Sequence, residues 1–360
     1  MPDPRLARLR LIRTPTIGSV TYRQLLARFG SADRAIEALP DLAARGGGKA
    51  PRIAEAGAVE REIARVEKLG ARYLFIDDMD YPPLLAELDN APAVLTVRGD
   101  TGLFERTSVA MVGARNASAA ACRFARGLAV ELGREGVVVV SGLARGLDTA
   151  AHQGSLATGT VGVIASGIDI AFPHENRGLQ DQVAEQGLLI AEQPPGSEPL
   201  ARNFPHRNRV IAGLSTGTVV VEAAPRSGSL ITARLAAEAG RDVMAVPGSP
   251  LEPRAQGCNL LIREGATLVQ SAADILETIR PIDPRMVRAP ASPFDGRLGG
   301  EPDDADRRAL IGLLGPVPVA VDELIRQSGL SAATVALILL ELELAVRIER
   351  HAGGRVSLIQ

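Results

Sequence analysis

The spacing of apolar residues divides the chain into regions of different texture. Over residues 1–72 apolar positions recur at helical intervals, as in "LIRTPTIGSVTYRQLLARFGSADRAIEAL", with Gly and Ser-Ala-Asp groups where helices stop and start. This predicts an all-helical N-terminal domain. Its "TPTIGSVT" turn fits either a helix–hairpin–helix, a device that grips a nucleic-acid backbone, or a plain helical bundle. From there to residue 282 short β-branched runs alternate with helical stretches. The runs are "RYLFI" (72–76), "AVLTV" (93–97), "SVAMVG" (108–113), "GVVVVSG" (136–142), "TVGVIAS" (160–166), "GLLIAE" (187–192), "GTVVVEA" (217–223), "DVMAVPG" (242–248) and "ATLV" (266–269). Continuously apolar strands separated by helices predict an α/β core at 73–282, a parallel sheet covered on both faces. Ligands of such sheets sit outside the carboxyl ends of the strands. Residues 283–303 are rich in Pro and Gly without periodicity and read as a linker. Over 304–360 three helical segments precede two short strands joined through "HAGGRV", the pattern of a small winged-helix domain.

Composition narrows the function classes. Hydrophobic residues make up 46% and charged residues 23% of 360, ordinary values for a folded chain with more than one core. The formal net charge of −2 gives no chain-wide pull towards nucleic acid or membrane, so any anion site must come from local clustering. Lys49 and Lys68 are the only lysines, so phosphate contacts would fall to the planar guanidinium fork of Arg. Cys122 and Cys258 imply a reducing compartment and no disulfide framework. His152, His174, His206 and His351 show no metal-ligand spacing, and neither a metal nor another cofactor is expected. No apolar run approaches a membrane span and no secretory signal is evident, which makes a cytoplasmic protein the expectation.

The candidate chemistry lies at the predicted strand ends. After strand 108–113 comes "GARNAS", where Gly113 permits a tight turn, Arg115 projects, and Asn116 or Ser118 can cap the next helix. After strand 136–142 comes "SGLARGLDTAAH", in which Gly142 and Gly146 flank Arg145 and Asp148 opens a helix with His152 a turn later. After strand 217–223, "EAAPRSGSLITA" leads Ser227, Gly228 and Ser229 into a helix over 230–239, whose first amides form a natural anion site. The stretch "NFPHRNR" adds Phe204, Arg207, Asn208 and Arg209, and Pro199 to Val221 holds three arginines and no acid. Each feature has a plain structural reading: Ser-Gly-Ser as a helix cap, Asp148 as an N-cap, Glu222 as an ion-pair partner, Asn208 as a loop brace. Their convergence on one sheet edge argues for a shared pocket.

Dinucleotide and P-loop fingerprints are missing, as is a nucleophile elbow, and Asp148, His152 and Glu222 form no catalytic motif. Binding, not an enzymatic step, is therefore expected. Guanidinium forks and helix-start amides suit phosphates and Phe204 offers a stacking face, the combination that holds single-stranded nucleic acid. The C-terminal helix over 331–344 has no Lys or Arg and carries Glu341 and Glu343, a poor reader of duplex DNA.

The motifs "VGARNAS", "VVSGLARGLDTAAHQGSL", "GTVGVIASGIDIAFPHEN", "LLIAEQPPG", "NFPHRNRVIAGLS", "VVVEAAPRSGSLITARLAAEAGRDVMAVPG" and "GCNLLIREGA", in this order over roughly 75–275, resemble the DNA-processing protein A family (DprA, also called Smf). The resemblance implies an extended Rossmann-like core, a sterile-alpha-motif-like N-terminal domain and a winged-helix C-terminal domain. It implies single-stranded DNA binding, protection of incoming DNA in natural transformation, delivery to a RecA-type recombinase, and a homodimer formed through the core after about residue 230. The family's DNA pocket would fall on Gly113, Arg115, the Ser141–Gly142…Arg145–Gly146 turn, Phe204, Arg207, Asn208, Arg209, and Ser227, Gly228, Ser229 and Thr232. Family pockets often use lysines, whereas this chain would use Arg throughout. The alternative is a nucleotide-processing Rossmann enzyme similar to the cytokinin-producing phosphoribohydrolases. Their P-G-G-x-G-T-x-x-E signature is reduced here to "PRSGSLITA", without the glycine pair or the Glu.

Overall fold

A computed structural model describes residues 3–15, 17–45, 51–279 and 303–332, together with 334, 335, 338, 339, 342, 348–351 and 355–358. The chain forms two compact units, Met1–Arg280 and Pro281–Gln360.

All nine apolar runs of the first unit are strands of one sheet: β1 (Arg72–Phe75), β2 (Val94–Gly99), β3 (Ser108–Val112), β4 (Val138–Ser141), β5 (Thr160–Gly167), β6 (Leu188–Gln193), β7 (Gly217–Val220), β8 (Asp242–Ala245) and β9 (Thr267–Leu268). Their order is β1-β2-β6-β5-β4-β3-β7-β8-β9. From β6 to β9 neighbouring strands are parallel, with Val109 opposite Val139 on one side of β3 and opposite Gly217 on the other. The expected parallel sheet has one exception: β2 runs antiparallel to both β1 and β6. A buried apolar run looks the same in either direction.

Side-chain alternation along the strands feeds two cores. Val109, Met111 and Val139 face the helices α6 (Ala119–Arg134), α7 (Leu147–Ser155) and α12 (Ala272–Ile279) through Leu128, Leu132, Ala151 and Ile275. Ala110, Val112, Val138 and Val140 face α9 (Asn203–Gly213), α10 (Gly228–Glu238) and α11 (Gln256–Arg263) through Val210, Ile211, Ala233 and Cys258. Both cysteines are free, and burial pushes the Cys258 thiol up to about 11.

The N-terminal helices α1 (Pro4–Arg13), α2 (Ser19–Phe29), α3 (Ala32–Arg45) and α4 (Ala56–Lys68) cover the antiparallel end. Leu9, Val59, Ile63 and Val66 pack with Tyr73, Phe75 and Leu189 in a common core. Arg8 pairs with Asp77 and Asp78, and Arg13 with Glu62, so these cations are spent on joining helices to sheet. In the second unit, helices Asp304–Gly312 and Val321–Ser328 accompany a three-stranded antiparallel sheet, Val319–Ala320, Arg355–Leu358 and Ile348–His351. Its core gathers Leu310, Leu324, Val335, Ile338 and Val356. Residues 283–302 of the expected linker, Glu341, Glu343 and the tip of "HAGGRV" lie outside the described residues. Among the described residues no helix is long and apolar enough to cross a membrane.

Candidate functional site

After β3 the chain moves outwards through β4, β5 and β6, then returns along α9 to place β7 on the other side of β3. The loops following β3 and β7 therefore diverge, which opens a crevice at the carboxyl edge where such folds hold ligands. A cavity of about 710 Å³ occupies it, lined by Gly113, Arg115 and Asn116 after β3 and by Arg226, Ser227, Gly228, Ser229 and Thr232 around the start of α10. Phe204, Arg207 and Asn208 of α9 and Asp148 of α7 complete the wall. Gly113 has to be small: a Cβ there would stand 2.6 Å from Leu147 Cγ.

Phe204 comes together with Arg115 and Arg207 but not with Arg209, and "FPHRNR" forms the first turns of α9. The Arg115 guanidinium lies 5.1 Å from the Phe204 ring centroid and that of Arg207 lies 6.0 Å away. Arg115 is exposed and, among the described residues, makes no salt bridge; Arg207 is only 7% exposed. Its guanidinium rests against the backbone of Gly142, where an added Cβ would meet Nη1 at 1.4 Å and displace it. Asp148 stands 3.9 Å from Arg207 Nη1 and accepts the Ala144 amide at 3.3 Å. Burial holds the Asp148 carboxyl above its ordinary value, with Arg207 pulling it back, and burial lowers Arg207. The Nε of Arg207 is buried without a hydrogen-bond partner. Behind it the His152 ring is fully buried next to Thr160 Oγ1, 2.7 Å from Nδ1, and burial drives it down to about 3, so it stays neutral.

Helix α10 opens on Ser227, whose hydroxyl pairs with that of Ser229 at 2.8 Å and caps no amide. Its first turn thus faces the cavity uncapped, with the positive end of the helix dipole behind it. Asn208 Nδ2 donates to Gly228 O at 3.4 Å, tying α9 to α10, and the residue also lines the cavity.

Other expected residues lie elsewhere. Arg209 does not reach the cavity; its guanidinium is bound to Glu192 and to Asn90 O. Ser141 is buried and donates to Met111 O at 2.6 Å, so it holds β4 to β3. Gly146 takes φ +74° where a Cβ would strike Ala114 O at 2.4 Å, and it shapes the turn without lining the cavity. Gly142 and Arg145 border a second cavity of about 180 Å³ that shares Arg115, Ala144, Phe204 and Arg207 with the first. There Arg145 pairs with Glu175. Glu222 caps α6 through the Ser118 amide and hydroxyl, the latter at 2.7 Å, with Arg254 at 3.9 Å. Arg226 lies in the stretch after strand 217–223, as the sequence places it, whereas Phe172 is not reached by reasoning from strand ends. Arg226 has φ +70°, a conformation costly for a non-glycine residue, and Phe172 belongs to a loop with no periodicity. Among the described residues no cluster of His, Cys, Asp or Glu could hold a metal ion.

A largely parallel, doubly covered sheet with a guanidinium- and amide-lined crevice at its switch point defines a Rossmann-like α/β protein whose pocket suits a phosphate-bearing ligand. Residues 72–280 match the family model of DNA recombination-mediator protein A, residues 2–64 that of the DprA-like N-terminal HHH domain, and residues 297–354 that of the DprA winged helix domain. The chain is 45% identical over 206 residues to DNA processing protein DprA of Streptococcus pneumoniae, spanning 57% of this chain and 72% of the relative. It is 36% identical over 307 residues to protein Smf of Escherichia coli, spanning 83% and 81%. The X-ray structure of Streptococcus pneumoniae DprA aligns with a TM-score of 0.60 at 40% identity, covering 63% of this chain and 79% of that one. The DprA of Helicobacter pylori, from a study of its single-stranded DNA binding mode, aligns with a TM-score of 0.53 at 28% identity, covering 57% and 95%. The chain belongs to the DprA family of DNA recombination mediators.

Proposed function

We propose that this protein binds single-stranded DNA in the crevice between the β3 and β7 loops, protects incoming strands in natural transformation and passes them to a RecA-type recombinase. The observation that carries this reading is the arrangement around Phe204. One half-buried aromatic ring stands between two cavities, with Arg115 and Arg207 against it and the uncapped start of α10 lining the larger one. A phosphate takes the amides and guanidinium forks while a base stacks on the ring, and no base edge has to be read. The single-stranded DNA binding of the Helicobacter pylori relative supports the same ligand here. The protein acts as a cytoplasmic binding protein without a catalytic step, and Glu222 serves as a helix cap. Homodimerisation uses the β9 side of the core, where Leu260 and Leu268 are 47% and 45% exposed.

The test is a titration of a labelled mixed-sequence oligonucleotide with wild type, Arg115→Ala and Phe204→Ala. Loss of one stacked base is worth about 1–3 kcal/mol, so Phe204→Ala weakens binding roughly tenfold or more. Arg115→Ala also weakens it, with little dependence on sequence. Wild-type affinity in both variants would refute the proposed site.

A further inference from the structure

The outer face of α6 carries positive charge that the crevice does not use. From Arg106 to Val130 the chain holds Arg106, Arg115, Arg123 and Arg126 and no acidic residue. Arg106 is turned to the carbonyls of Gly136 and Thr158, and Arg115 stands in the crevice. Arg123 and Arg126 lie further along α6, three positions apart and both exposed. No position three or four residues from either one carries an acid. Exposed arginines elsewhere meet an acid at that spacing: Arg234 pairs with Glu238, Arg52 with Glu55 and Arg326 with Glu323. Among the described residues Arg123 joins no ion pair, and Arg126 donates to the neutral side chain of Gln153 on α7. The other exposed residues on this part of α6 are Ala119, Ala120 and Gly127, and a Cβ at Gly127 would meet nothing within 4 Å. The two guanidinium groups therefore stand above a low, uncharged surface.

We propose that this face is a phosphate track that receives the single strand as it leaves the crevice, with Arg123 and Arg126 each holding one phosphate beyond those in the cavity. This rests on the proposed reading of the crevice. Three features select the occupant. Arg115 and Asn116 line the cavity and Ser118 caps α6 two residues later, so the helix begins at the crevice rim and the track continues from it. From Ser118 to Arg126 the helix rises about 12 Å, the length of roughly three to four stacked nucleotides at about 3.4 Å each. A phosphate arriving at Arg123 or Arg126 displaces no carboxylate, in contrast to Arg145, which Glu175 holds. The small residues between the arginines let a sugar-phosphate backbone lie close to the helix, and no base edge is read. The track would add affinity only for strands long enough to run past the crevice.

The experiment compares wild type with two double variants, Arg123→Gln/Arg126→Gln and Arg123→Lys/Arg126→Lys. Both side chains are exposed, so these variants fold. A labelled strand of about 20 nucleotides is titrated by fluorescence anisotropy, and an unlabelled strand of about 6 is measured by its displacement of the long one. The Gln pair should weaken the long strand roughly tenfold at low salt and flatten its slope of log affinity against log salt by about 1.4, two phosphates' worth. It should leave the short strand within about twofold, and the Lys pair should restore most of the long-strand affinity. No loss on the long strand, equal losses on both strands, or a Lys pair as weak as the Gln pair would overturn the track and leave the crevice reading standing. A short strand that fails to displace the long one from wild type would overturn the crevice reading itself.

Discussion

Arg207 and Arg209 stand two positions apart on α9, about 200° around the helix axis, and so face opposite ways. Arg207 looks into the crevice beside Gly142 and Asp148, whereas Arg209 turns to Glu192 and the carbonyl of Asn90. Both are nearly buried, at 7% and 8% exposure, but their surroundings assign them different work. Removing Arg209 strands the Glu192 carboxylate in a partly buried setting, at a cost of about 2–3 kcal/mol. Arg209→Ala should therefore shift the denaturant midpoint of the first unit downwards and leave the dissociation constant for single-stranded DNA within about twofold. Affinity lost in step with that of Arg115→Ala, with unchanged unfolding, would place Arg209 in the site after all. Grouping the two arginines is what residue types in "FPHRNR" invite; only knowing that the helix begins at Asn203 separates them. Phe204, by contrast, is legible at once, because an aromatic among arginines at a strand-end connection has few structural reasons to be there.

At the scale of elements, the start of α10 is the most informative piece. Ser-Gly-Ser at a helix start reads as capping chemistry, yet Ser227 caps nothing and bonds Ser229. The helix start is left open on the cavity side, which favours an incoming anion. Placing a carboxylate there should reverse the preference. Ser227→Asp would satisfy the first-turn amides and suit the helix dipole, so it raises the melting temperature slightly or leaves it unchanged. It should weaken single-stranded DNA binding roughly tenfold through repulsion of phosphate. Thermal unfolding alongside a binding titration checks both; unchanged affinity would mean that this helix start does not meet the ligand. The strands are legible as elements from their apolar runs, and so is the edge at which the ligand loops gather. The direction of β2 is not, because burial on both faces erases the alternation that would betray an antiparallel pair. Phe172, and the positive φ of Arg226, stay hidden for another reason: loop curvature and local backbone conformation have no periodic signature.

For the whole molecule, a net charge of −2 means that affinity for DNA must come from local clusters of positive charge, of which the crevice is one. Of the arginines around the crevice, Arg145 is held by Glu175 and Arg207 stands 3.9 Å from Asp148, while Arg115 and Arg226 line the cavity without a salt bridge among the described residues. The three lining arginines, Arg115, Arg207 and Arg226, supply its positive charge. Three neutralised phosphates on a single strand correspond to a slope of about −2 in log affinity against log salt. The helical N-terminal region and the sheet share a core, so this charge pattern sits on a rigid frame that the DNA need not reorganise. The most direct measurement is a competition titration in which a labelled single strand bound to wild-type protein is displaced by unlabelled single strand or by duplex of the same sequence. The crevice reading predicts displacement by the single strand at concentrations at least tenfold below those of the duplex, weakening steeply with salt. Equal displacement by both, or no complex to displace, would contradict it.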